Sequence, residues 1–351
     1  MRRLPFALII CVFALNGLSL WTLASFELTS FMNKQVIFSI IGSIISIGIM
    51  FIPYRYIQKV TYPSYYILCI LLIFLLIAGT PIKGVVRWIS LAGITIQPSE
   101  FVKLGVILIL ARELSKPNLQ GWKSGLKIWS LVLLPLGLIL IQPDLGTALI
   151  LVPIGLGTMY VAGMRKEILL PIFILLGVFP LLYLFVLKDY QRERIKAFLD
   201  PDSVSEWKNY QQRRAIIAIG AGKFSGYFLS HTTVDPEFVP VRHSDFIFSA
   251  IGERWGFIGS SLVIVLFIIF FTVGISKTDS VTSPFGRYLV TGVMIYLATH
   301  VIINIGMNIG LLPIAGLPLP FISCGGSSTI TNYMALGIIL NAYLQRPRVW
   351  R

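Results

Sequence analysis

Ten apolar stretches, each about twenty residues long, constrain this chain more than any other feature. They run 5–26, 36–54, 63–80, 98–114, 126–142, 145–163, 167–187, 246–275, 287–310 and 326–345. At a rise of about 1.5 Å per residue, such a run matches a hydrocarbon core about 30 Å thick. In lipid, a helix satisfies its own backbone polar groups. The expected fold is therefore an all-α polytopic membrane protein of about ten transmembrane helices, in one domain, 1–351. With 56% hydrophobic and only 13% charged residues, an ordinary soluble domain is excluded. The first run follows Arg2 and Arg3, and no small-residue cleavage site follows it, so it reads as a retained helix.

Lys and Arg set the orientation. An even number of spans puts both termini on one side. Short loops on that side carry fifteen Lys and Arg, and short loops on the other side carry three. The positive-inside rule then places both termini in the cytoplasm. One segment departs from the trend. Residues 188–245 form a long extracytoplasmic loop between helices seven and eight, yet hold nine basic residues. Long loops translocate largely regardless of charge. Their charge suits an external anionic partner such as a lipid pyrophosphate, or else lipid headgroups and the loop's own acids. The net charge of +14 is absorbed by this topology, and nothing points to nucleic acid.

Polar residues inside the apolar runs mark candidate sites. Asp245 stands where the basic loop enters an apolar helix, beside His243 and Arg242, and is the candidate catalytic base. Glu253 follows on the same side of that helix, with Ser249, Gly252 and Gly256 nearby, the two glycines suiting close helix approach. Glu100 and Lys103 share a helical face behind Pro98 and read as an ion pair, with Lys103 a candidate for a substrate phosphate. Asp144, in the turn QPDLGTALI, reads as a helix cap. His300, Asn304 and Asn308 form a polar stripe for interhelical hydrogen bonds or a cavity. Pro313, Gly316, Pro318 and Pro320 forbid a regular helix after it. Gly325, Gly326, Ser327 and Ser328 then open the last helix, a potential anion seat at Ser327 or an ordinary cap. Arg192, Arg194, Arg213 and Arg214 are the loop cations best suited to bidentate phosphate binding, and Arg242 could instead act on Asp245. Cys11, Cys69 and Cys324 lie far apart and form neither a disulfide framework nor a metal motif.

Taken in order, QPSEFVK, QPDLGTAL, RIKAFLDP, Tyr210–Gln211 before IAIGAG, HSDFIFSAIGE and GLPLPFISCGGSS resemble the SEDS family (shape, elongation, division and sporulation) over nearly the whole chain. QPDLGTAL and RIKAFLDP look more like its RodA branch than its FtsW branch. Ser244 stands where Thr is usual, Cys324 where Tyr is usual, and Arg213–Arg214 and Lys223–Phe224–Ser225 alter the loop pattern. The resemblance implies a peptidoglycan glycosyltransferase that polymerises lipid II outside the inner membrane during cell elongation, with Asp245 as its catalytic aspartate. It also implies a class B penicillin-binding transpeptidase as partner, within an elongation complex of membrane proteins. No cofactor is called for, and a divalent cation stays open. Rival readings are a lipid-linked precursor flippase, another outer-face glycosyltransferase such as an O-antigen ligase or polymerase, and a scaffold that only recruits a transpeptidase.

Overall fold

The computed structural model describes residues 5–79, 86–91, 94–117, 121–165, 189–200, 206–227 and 242–345. Eleven helices are described: α1 (Phe6–Ser25), α2 (Thr29–Met50), α3 (Tyr54–Ala78), α4 (Pro98–Leu114), α5 (Trp122–Ile141), α6 (Leu145–Val161), α7 (Asp189–Leu199), α8 (Glu206–Ala221), α9 (Ile247–Thr278), α10 (Pro284–Asn308) and α11 (Gly326–Leu344). Six of them, α1, α2, α3, α5, α9 and α10, are long and apolar enough to cross a membrane. Nine of the ten expected spans coincide with described helices; the run 167–187 lies outside the described residues, as do 201–205 and 228–241 of the long loop. The all-α expectation gains one addition. β1 (Ile89–Leu91) and β2 (Ile94–Ile96) pair antiparallel just before α4, with Ser90 opposite Thr95.

The bundle is polar and small inside at places where a soluble protein would be apolar. On α2 the buried residues are Gln35, Ser39, Gly42 and Ser46. Their spacing of four, three and four keeps them on one helical face. The opposite face exposes isoleucines, Ile37 to 54% and Ile44 to 64%. That inversion suits lipid outside and close helix approach inside. Gly42 lies under the ring of Tyr333 on α11, where a Cβ would sit 2.7 Å from its Cδ2. Asn341 of α11 donates to the carbonyls of Ile49, Met50 and Ile52 at 2.8, 3.1 and 2.7 Å, closing the otherwise unsatisfied C-terminal end of α2.

α4 is buried on nearly every side, between α3, α6 and α10. At one end of the bundle Glu113 gathers Tyr62, Lys116 and Lys127, joining α3, α4 and α5. Asp245 lies toward the opposite end, beside the last turn of α10. α9 is 32 residues long but broken at Gly256, whose φ of 62° and ψ of −154° are not helical. The helix that Asp245 leads into therefore does not run unbroken past Gly256. The break frees amide groups, and the turn after α8 takes them: Phe257 N donates to Lys223 O at 2.9 Å and Ile258 N to Phe224 O at 3.2 Å. The close approach expected of Gly252 is real: a Cβ there would lie 3.0 Å from Ile219 Cγ1 of α8, and one on Gly222 would run into Gly252 O.

Candidate active site

The site is built on the polar stripe of α10. A period of 3.6 residues puts His300, Asn304 and Asn308 on one face, and all three are buried. Asn304 Nδ2 donates to Asp245 O at 2.9 Å and to Leu317 O at 2.7 Å. Asn308 Nδ2 donates to the same Asp245 carbonyl at 3.0 Å, and its Oδ1 accepts from Ser249 N at 3.1 Å. That last bond satisfies one of the open amides in the first turn of α9, which has no side-chain cap of its own. The irregular segment 309–325 holds the neighbouring residues. Ser323 Oγ donates to Ser244 O at 2.6 Å, and Cys324 N donates to His243 O at 2.9 Å. The His243 ring stacks on Phe31, with centroids 3.7 Å apart. Three consecutive carbonyls, 243 to 245, are therefore bonded from two other parts of the chain. The Asp245 backbone is fixed while its carboxylate remains available.

That carboxylate is half-buried and faces Gly316 and Arg194. Gly316 has a φ of 67°, and a Cβ there would lie 3.7 Å from Asp245 Oδ2 and 3.8 Å from Arg194 Nη1. Glycine suits the left-handed backbone at this position. Arg194, on α7, also donates to Ile314 O at 3.4 Å. Desolvation raises the Asp245 pKa above the usual carboxylate value, and Asp144 adds to the rise; a hydrogen bond from Ser244 and the charge of Arg194 work against it. A raised pKa moves a carboxylate toward the range of a useful base.

Next to this pair is a cavity of about 60 Å³, lined among others by Arg87, Asp144, Gln191, Arg194 and Pro313. Arg87 leans on Asp144 at 3.7 Å and bonds Gln142 O at 3.2 Å. Asp144 caps α6 as expected, accepting from Thr147 N at 3.3 Å. It also accepts from Gln97 at 3.1 Å. Both cations therefore line one cavity, and the charge of Arg194 also acts on the Asp245 carboxylate. Arg87 carried no distinguishing signal in the sequence beyond its charge; Gln97 and Asp144 come together only through the turn 142–145.

The remaining candidates fall in other places. Glu100 and Lys103 do pair, at 2.7 Å, but Lys103 is fully buried. Its ammonium also contacts His300 Nε2 at 3.0 Å and lies 5.2 Å from the Tyr296 ring centroid. Ser327 Oγ accepts from Gln97 N at 2.9 Å, so it joins α11 to the start of α4. Arg242 is buried with its guanidinium over Phe26, and its charge acts on Glu253, together with Arg254. Among the described residues, neither carboxylate oxygen of the buried Glu253 finds a hydrogen-bond partner. Arg192 is half-buried on α7, two residues from Arg194. Arg213 and Arg214 lie on α8, where Gln212 bonds Met307 O at 2.9 Å and Leu312 O at 2.8 Å. Among the described residues no group of three or more His, Cys, Asp or Glu side chains is arranged to hold a metal ion.

Residues 3–347 match the model of the FtsW, RodA and SpoVE family of cell cycle proteins. The chain belongs to that family. It is 37% identical over 352 residues to the peptidoglycan glycosyltransferase MrdB of Helicobacter pylori, covering 96% of this chain and 88% of that one. Its fold is similar to a chain in a structure describing how a peptidoglycan synthase complex coordinates polymerization and crosslinking, with a TM-score of 0.83, 28% identity and coverage of 96% and 97%. The rod shape determining protein RodA of Thermus thermophilus gives a TM-score of 0.72 at 26% identity, covering 96% of this chain and 95% of that one. The resemblance read from QPSEFVK through GLPLPFISCGGSS therefore holds along the whole family domain.

Proposed function

We propose that Asp245 is the general base of this family member's glycosyl transfer, at an opening where Arg194 and Arg87 receive the donor pyrophosphate. The chain is a peptidoglycan glycosyltransferase that extends glycan strands from lipid II, beside a class B penicillin-binding transpeptidase. The acceptor sugar hydroxyl gives its proton to Asp245 as its oxygen attacks the anomeric carbon of the donor. The bond from that carbon to the pyrophosphate oxygen breaks, and undecaprenyl pyrophosphate leaves. A single displacement of this kind inverts the anomeric centre. Pyrophosphate leaves readily, so fixed cations serve in place of a general acid.

The observation that carries this reading is the Asp245 carboxylate, backbone-clamped and near Arg194, which lines a cavity together with Arg87. Arg87 and Arg194 line the cavity and supply the cations for a donor phosphate. The proposed topology has ten spans in one domain, with both termini cytoplasmic and residues 188–245 forming the extracytoplasmic loop that brings α7 to the site. Purified chain in lipid vesicles tests the activity. Incubation with lipid II yields polymer on a gel. A flippase would instead move lipid II across the bilayer and form no polymer.

The loop cations separate by position. Arg194→Ala lowers the polymerisation rate by about tenfold, the loss expected of one charge-assisted contact in a partly wet site. Arg213→Ala keeps the wild-type rate within about twofold, because the positive charge acting on Asp245 among the described residues comes from Arg194. Rates measured in neutral detergent decide this; equal losses for the two variants contradict the assignment.

A further inference from the structure

We propose that His300 is a positioning residue that couples the buried Glu100–Lys103 pair to the catalytic turn. The inference rests on Asp245 as the base. Its own evidence is geometric. His300 Nε2 lies 3.0 Å from Lys103 Nζ, and His300 Nδ1 lies 3.1 Å from Pro318 O. An ammonium can only donate, so Nε2 accepts and the ring proton sits on Nδ1, where it donates to the Pro318 carbonyl. That assignment uses both ring nitrogens of a neutral imidazole and leaves neither free.

Pro318 belongs to the irregular segment that carries Gly316. Such backbone is tolerated at membrane depth only when protein groups satisfy it. Here α10 supplies them in order: His300 takes Pro318 O, and Asn304 one turn later takes Leu317 O and Asp245 O. Two consecutive loop carbonyls are thus pinned to one helix face. Gly316 is the next residue, and a Cβ there would lie within 4 Å of both Asp245 Oδ2 and Arg194 Nη1. Lys103 fixes the His300 ring from behind, with Glu100 and the Tyr296 ring holding the ammonium. Lys103 therefore acts on the site through imidazole and loop. It need not reach the substrate, from which its complete burial separates it.

The coupling is tested by hydrogen exchange and steady-state kinetics on the full chain in detergent with lipid II. His300→Leu should raise amide exchange in 309–325 and leave α2 and α11 unchanged. It should lower kcat about 10–100-fold, the loss typical of a displaced catalytic group, with KM for lipid II within about threefold of wild type. His300→Gln can accept from Lys103 and donate to Pro318 O, and should restore both protection and kcat to within about threefold. Adding Glu100→Gln with Lys103→Met to His300→Leu should cost little more, because contacts in one chain are not additive. If His300→Leu does not fold, His300→Asn, which is too short to make both contacts, replaces it in the same comparisons. Unchanged exchange in 309–325, a Gln variant as slow as the Leu variant, or fully multiplying losses would each overturn the proposal. Asp245→Asn separates the two readings. It should leave exchange in 309–325 as in wild type, and normal polymerisation by it would remove the base and leave the exchange result standing.

Discussion

Asp245→Asn lowers lipid II polymerisation by about 10²–10⁴-fold, the loss expected when a general base is removed. The protein itself should survive the change. Every bond from Asn304 and Asn308 to this position goes to the Asp245 main-chain carbonyl. The neighbouring carbonyls of His243 and Ser244 are held by Cys324 N and Ser323. None of these contacts needs the carboxylate. Asparagine keeps the shape and removes the basicity, so membrane insertion, yield and melting temperature should match wild type within error. Lipid II polymer on a gel, quantified against time, supplies the measurement. Polymerisation near the wild-type rate sinks the assignment.

The second large effect is on folding. Lys103→Met leaves the Glu100 carboxylate buried without its cation. Breaking a buried pair by removing one partner costs about 3–5 kcal/mol, because the remaining charge is uncompensated. It also frees His300 Nε2 from its donor. The expected result is a sharp fall in folded yield together with lost activity. Glu100→Gln combined with Lys103→Met removes both charges and should recover much of the yield. Activity should recover less, since the His300 ring is then unsupported from behind. Thermal unfolding followed by loss of monodisperse protein measures the first part, and lipid II polymerisation the second. Full recovery of both by the double variant makes the pair only a packing element.

What could be read from the sequence depended on how local the determinant was. Apolar runs located nine described helices, since hydropathy is a local property; the starts of α2 and α3 lie several residues earlier than their apolar runs. Asp245 stood out because a carboxylate next to a span is costly unless it has a role. His300, Asn304 and Asn308 stood out by spacing alone, and their hydrogen bonds to the segment 309–325 and the Asp245 turn follow from it. Asp144 was legible as a cap through its short reach to Thr147.

The misses have the opposite origin. Arg194 was among four candidate arginines, but nothing local separates it from Arg192, Arg213 and Arg214; α7 places its charge near Asp245. Lys103 could be matched with Glu100 at three residues' distance, but its burial is set by His300 and Tyr296 from a helix two hundred positions away. The break at Gly256 depends on the turn after α8 supplying carbonyls to freed amides, which no pattern within α9 encodes. Arg242, three residues before Asp245, turns instead toward Phe26 and Glu253.

The rate of lipid II polymerisation against pH, for wild type and Asp245→Asn in parallel, tests the role of Asp245 most directly. A base works only when deprotonated, and desolvation raises the pKa of Asp245. The wild-type rate should therefore fall as pH drops through a value above the ordinary aspartate pKa of about 3.9. The residual rate of Asp245→Asn should be flat across that range. The same acid limb in both proteins would show that another group takes the proton, and would contradict the assignment of Asp245 as the base.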